Sequence, residues 1–117
     1  MASDDFTIKE TDGVKVVRLR TDNLLSIAEV NRIGGELNKL VDDGAKKLVL
    51  DLRSVIYAGS ATLGMLLSLR EKMQSSKGKL VLAGIENLEK LFTLSRTKTL
   101  FEIAATVEKG VEILKNP

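Results

Sequence analysis

Apolar and polar positions along this chain follow two rhythms that alternate. Phe6 to Glu10 and Val14 to Arg20 are short runs rich in β-branched residues, separated by Asp12-Gly13. Branched side chains suit the pleated surface of a strand, and Asp-Gly readily adopts the positive φ angles of a two-residue hairpin turn. The opening segment therefore predicts a β-hairpin. Ile27, Val30, Ile33, Leu37, Leu40 and Val41 then recur at three- and four-residue spacing, which predicts an amphipathic helix of about fifteen residues. Ser26 stands where a hydroxyl would cap its first N–H groups, and Gly44, after Asp42-Asp43, supplies a stop.

Leu48 to Leu52 is almost continuously apolar, as suits a parallel strand buried on both faces. A second helix is predicted from Ala61 to Ser75, followed by Gly78 and a further apolar strand from Leu80 to Ala83. Ile85, Leu88, Leu91 and Phe92 define a third helix, Leu100 to Ile103 a short strand, and Val107, Val111 and Leu114 a closing helix. A hairpin followed by alternating strands and helices implies an α/β fold with a mixed, largely parallel sheet and about four α-helices. Its crossovers should be right-handed. No linker-like stretch interrupts the chain, and its only proline is Pro117, so residues 1–117 read as a single domain.

Composition narrows the chemistry. With 44% apolar and 29% charged residues the chain is globular rather than disordered. A net charge of +2 without a basic block, and only 3% aromatic residues, leave neither the electrostatic footprint nor the stacking platform of a direct nucleic-acid binder. Cysteine and histidine are both absent. That removes disulfides, thiolate nucleophiles, the common zinc ligands and the imidazole on which most acid–base sites rely. No catalytic residue, metal or cofactor is expected. Met1 to Asp5 is acidic and lacks the apolar segment of a signal peptide, and no apolar run approaches the ~20 residues of a membrane span. The expected compartment is the cytoplasm.

The stretch Ser54 to Leu67, SVIYAGSATLGMLL, holds the candidate chemistry. It follows the Leu48–Leu52 strand, and in open α/β sheets sites gather outside the carboxyl ends of strands. Gly59 and Gly64 have the spacing of a phosphate loop, but Met65-Leu66 stand where the lysine and hydroxyl residue belong. Two positions before and after Ser60, where a nucleophile elbow has small residues, stand Ala58 and Thr62, and no histidine exists to take its proton. Two readings of Ser60 remain. It is the N-cap of the second helix, unsupported by a capping box because Leu63 stands three residues on. Or it is a phosphoacceptor, since a dianion at a helix N-terminus meets free N–H groups and a favourable dipole. The two are compatible.

The segment from Leu48 through Asp51-Leu52 to Gly59-Ser60-Ala61-Thr62-Leu63-Gly64-Met65-Leu66-Leu67 resembles the STAS domain family, more narrowly the bacterial anti-sigma-factor antagonists. The resemblance extends from the opening hairpin to about Val111 and implies a STAS-like fold. It sets Ser60 at the position of the serine that a partner kinase phosphorylates, and Leu63-Gly64 match outright. Gly59 stands where the family has aspartate, Ala61 replaces a second hydroxyl residue and Thr62 replaces glycine. Asp22 falls a little before the position of a further family aspartate. The resemblance implies a non-enzymatic switch protein that binds an anti-sigma factor, itself a serine kinase, and so frees a sigma factor. Phosphorylation breaks the complex and a phosphatase restores it. The expected state is a monomer or weak dimer.

On the second helix, Met65, Leu69 and Met73 extend the apolar arc beyond what one sheet face requires. They either pack on a neighbouring helix or form a docking edge beside Ser60. The candidate partner-binding residues are therefore Gly59, Ser60, Ala61, Thr62, Met65 and Leu69. Asp51 reads as a solvent-facing or loop-stabilising carboxylate, and Asp42-Asp43 and Lys46-Lys47 as helix-end charges. The altered neighbours of Ser60 keep two alternatives open: a STAS scaffold that binds its partner constitutively, and a module that senses a nucleotide or other small ligand through loop amides.

Overall fold

The computed structural model describes residues 6–115; Met1 to Asp5, on which the absence of a leader was read, and Pro117 lie outside the described residues. In chain order the elements are β1 (Phe6–Thr11), β2 (Val14–Leu19), β3 (Asn23–Leu24), α1 (Ile27–Asp42), β4 (Lys47–Asp51), β5 (Tyr57–Ala58), α2 (Ser60–Ser75), β6 (Lys79–Ala83), α3 (Glu89–Leu94), β7 (Glu102–Ala104) and α4 (Val107–Lys115). Five strands form the main sheet in the order β1-β2-β4-β6-β7. β1 and β2 are antiparallel, and β2, β4, β6 and β7 run parallel. The described residues therefore form a single α/β unit with four α-helices and a mixed, mostly parallel sheet that opens on a hairpin.

Local chemistry accounts for most of these boundaries. The hairpin turns on Asp12 (φ 53°) and Gly13 (φ 80°), the two positive angles that a tight connection between right-twisted strands requires. The Ser26 hydroxyl accepts from the Glu29 N–H at 3.4 Å and caps α1, and Gly44 leaves the helix with φ 104°.

The strands alternate their side chains between two unequal layers. Val17, Leu19, Leu48, Leu50, Leu52 and Leu82 face the main core, which α1, α2 and α3 cover. Val14, Val49, Val81 and Ala83 face the smaller core under α4, which contributes Val111 and Leu114. Gly110 lets α4 come this close, because a Cβ there would lie 3.2 Å from both methyls of Val49. The central strands are thus apolar on both sides, which explains their unbroken apolar runs.

Two expectations need correction. The third helix is split into a 3-10 turn, Glu86–Leu88, followed by the short α3. Its apolar anchors recur at the spacing of either helix type, so periodicity alone does not separate them. The last strand begins at Glu102 rather than Leu100, because Leu100 closes a 3-10 turn by donating its N–H to Thr97 O at 2.9 Å.

The sequence reading also misses β3 and β5, which pair in parallel as a separate two-stranded sheet, Asn23 opposite Tyr57 and Leu24 opposite Ala58. Two-residue strands carry no periodicity to detect.

Candidate functional site

That small second sheet determines how Ser60 is presented. After β4 the chain turns sharply: the buried Asp51 carboxylate accepts the Arg53 N–H at 3.0 Å, and Arg18 Nη2 donates to Ser54 Oγ at 3.2 Å. Asp51 is therefore a loop-stabilising group rather than a solvent-facing one. The N–H groups of Ile56 and Tyr57 then donate to the single carbonyl of Asp22, at 2.8 and 3.0 Å. With its backbone held beside β3, the chain stays extended through Gly59 (φ −140°, ψ −161°), and α2 begins at the next residue.

Gly59, not Ser60, is thus the N-cap of α2, and the capping role read for the serine is corrected. Ser60 lies one residue inside, as the first helical residue, and it is exposed. No side chain caps α2, and its first turn holds no acidic residue. The leading N–H groups of the helix therefore have no side-chain partner, and Gly64, one turn further on, is exposed with open space where a Cβ would stand.

The other candidate residues divide. Gly59 and Ala61 are half-buried beside the serine. Thr62 is fully buried, and its hydroxyl donates to Leu24 O at 2.7 Å, locking the first turn of α2 onto β3. It cannot touch a docked partner and is removed from that surface. Thr62→Val keeps the shape and deletes the buried donor to the Leu24 carbonyl. The expected loss is about 1–3 kcal/mol of folding stability by denaturant titration. A loss under a few tenths would show that water replaces the bond.

Leu69 and Met73 are 1% exposed and belong to the main core. Met65 packs against α1, where a Cβ on Gly34 would come within 3.0 Å of its Cγ. The wide apolar arc of α2 therefore serves helix–helix packing, and the docking edge assigned to Met65 and Leu69 is withdrawn.

A different apolar surface takes its place. Leu25, Ile27, Ile56 and Tyr57 are 55%, 66%, 48% and 56% exposed, and all flank the β3–β5 pair. Leu25 reaches the serine loop itself, its Cδ2 lying 3.6 Å from where a Cβ on Gly59 would stand. These residues come from two segments far apart in the chain. The only sequence signal is that Leu25 and Ile56 sit outside the periodic apolar runs.

Among the described residues no helix is long and apolar enough to cross a membrane. The STAS domain profile matches residues 5–110. BtrV of Bordetella bronchiseptica, a candidate anti-sigma factor antagonist, is 26% identical over 111 residues, covering 94% of each chain. The crystal structure of TM1081 from Thermotoga maritima, likewise a candidate anti-sigma factor antagonist, superposes with a TM-score of 0.81 at 23% identity over 95% of each chain. SpoIIAA, a Bacillus cell fate determinant solved in its phosphorylated form, superposes at 0.68 with 18% identity, covering 92% of this chain and 97% of its own. The matched segment takes in the hairpin, the parallel body and the serine loop, and on that ground the chain belongs to the STAS domain family, among relatives named as anti-sigma factor antagonists.

Proposed function

We propose that this protein is a cytoplasmic, non-enzymatic anti-sigma factor antagonist. It docks the β3–β5 end of the molecule on an anti-sigma factor that is also a serine kinase, and this releases a sigma factor. Phosphate on Ser60 dissolves the complex, and a phosphatase restores it. The observation that carries this reading is the exposed Ser60 at the start of α2, where no side chain caps the helix, with Leu25 against the adjoining Gly59 and with Ile27, Ile56 and Tyr57 exposed at or next to the β3–β5 pair. An added phosphate there would meet backbone N–H groups and the positive end of the helix dipole, so the fold should accept it while a docked partner would not. The phosphorylated form known for SpoIIAA supports the same reading.

The test is incubation with candidate anti-sigma factor kinases and ATP, read by intact mass and by titration of the complex. Wild type should gain one phosphate and Ser60→Ala none. Ser60→Ala should still bind, and Ser60→Glu should bind far more weakly while its unfolding free energy stays within ~1 kcal/mol of wild type. Phosphate on another residue, or undiminished binding by Ser60→Glu, would end the switch proposal.

A constitutive scaffold is the second reading. It is favoured by Gly59 and Ala61, which leave no carboxylate before Ser60 and no hydroxyl after it. No mass gain with any kinase, together with wild-type affinity for Ser60→Glu, would establish it.

A further inference from the structure

We infer that the end of the domain opposite Ser60 carries a second docking groove, and that it takes an extended segment of a partner protein rich in acidic and apolar side chains. This groove is separate from the Ser60 surface and requires nothing of the switch proposed there.

β6 is longer than its neighbour at the sheet edge. Its ladder with β7 starts only where Val81 faces Glu102, so no β7 residue lies beside Lys79 and Leu80. The chain that would fill this place is folded instead into the 3-10 turn Lys98–Leu100. What remains is a groove of about 380 Å³ at the start of β6, between the C-terminal parts of α2 and α4. α2 enters it with Arg70 and Gln74, ~15 Å or more along the helix from Ser60. One wall is fixed in advance. Phe101 stands edge-on to Phe92 with ring centroids 5.7 Å apart, and Lys98 Nζ ties the turn to Glu89 at 2.9 Å.

Two properties of the lining point to the occupant. Leu100 and Ile113 are 43% and 39% exposed, one from the turn and one from α4, and with Leu80 and Phe101 they form an apolar strip. Beside the strip stand Arg70 on the α2 side and Lys79, and among the described residues neither side chain has a hydrogen bond or an ion pair. Lys47 is in register with Lys79 on the neighbouring strand, and like charges so placed repel each other. Glu102 is the one acidic residue of the lining, and it pairs with none of these cations.

An apolar strip flanked by unpaired cations is complementary to a chain that brings apolar side chains and carboxylates together. The open edge of β6 favours an extended chain, because the main chain of a visiting segment can run where β7 does not. A basic segment would meet like charge, and a purely polar one would leave the strip in contact with water.

The test is a titration of ¹⁵N-labelled protein with capped peptides of about ten residues in about 0.1 M sodium chloride. One peptide alternates glutamate with valine and leucine. A second has lysine for every glutamate, and a third has serine for every valine and leucine. The first should give saturable shifts centred on the amides of Leu80, Leu100, Phe101 and Ile113, with an affinity at least about tenfold above either of the others. The double variant Arg70→Glu, Lys79→Glu should bind it at least about tenfold more weakly, and so should Ile113→Ser, each melting close to wild type. No saturable shift up to about 1 mM peptide, equal affinity for the lysine peptide, or wild-type affinity in either variant would overturn the inference. Shifts centred on Ile56 to Gly64 would overturn it too, since the peptide would then lie at the Ser60 end. Each of these results leaves the proposed function standing.

Discussion

Phe92→Ala should cost this domain about 3–5 kcal/mol of folding stability, the range for removing a large aromatic side chain from a packed core. Phe92 is fully buried, and its ring stands edge-on to Phe101 at a centroid distance of 5.7 Å and an interplanar angle of 90°. That geometry adds an aromatic pair to the plain loss of buried area. The effect should be large for a second reason. α3 is only six residues long, so it has little stability of its own and depends on its anchor. With the ring gone, residues 86–101 lose much of what ties them between β6 and β7. Denaturant titration should give the free-energy loss, and thermal melting a fall on the order of 15 °C. Amide exchange should accelerate most in that same segment. A loss below ~1 kcal/mol would mean that neighbouring side chains collapse into the space and that Phe92 is not the anchor.

Gly84→Ala is expected to be nearly as damaging, for a backbone reason. Gly84 follows β6 with φ 69°, a region that disfavours any Cβ by about 1–2 kcal/mol. The methyl would also stand 2.9 Å from Arg53 Cβ, closer than real Cβ contacts come, and 3.0 Å from Arg53 N, tighter than nearly all of them. The Arg53 N–H is the one that the Asp51 carboxylate accepts. Making room for the methyl would therefore loosen the hold on a buried acid, which is unfavourable beyond the strain itself. Together these predict a loss of about 2–4 kcal/mol by denaturant titration. Because Arg53 opens the loop that leads to Ser60, the folded fraction of Gly84→Ala should also bind the anti-sigma factor less tightly. Wild-type stability in this variant would show that the loop simply moves aside.

Gly84 and Phe92 also show how far the sequence alone could be read. Phe92 was legible, since it falls in helical register with Leu88 and Ile85, and a large apolar residue in such a series belongs inside. The close approach at Gly84 was not, because it depends on which loop lies beside the end of β6. The same division runs through the candidate site. The serine between a strand and a helix was legible from pattern, as were the hairpin turn at Asp12-Gly13 and the cap at Ser26. Each of these is a short-range signal within a few residues. The N-cap was misread by one position, because the extended stretch that displaces it comes from pairing with β3.

Periodicity and turn chemistry by themselves determined that this chain is one α/β domain with buried parallel strands, and they brought Ser60 forward as the residue to explain. They could do so because burial on a sheet or helix face imposes a repeat that any stretch of sequence displays. Only the tertiary structure decided which apolar side chains remain in water. Leu69, Met65 and Thr62 are taken up by the core, by α1 and by the Leu24 carbonyl, while Leu25, Ile27, Ile56 and Tyr57 are left outside. The physical reason is that exposure belongs to what packs beside a residue, and here a two-residue strand pair brings together segments that no local pattern connects.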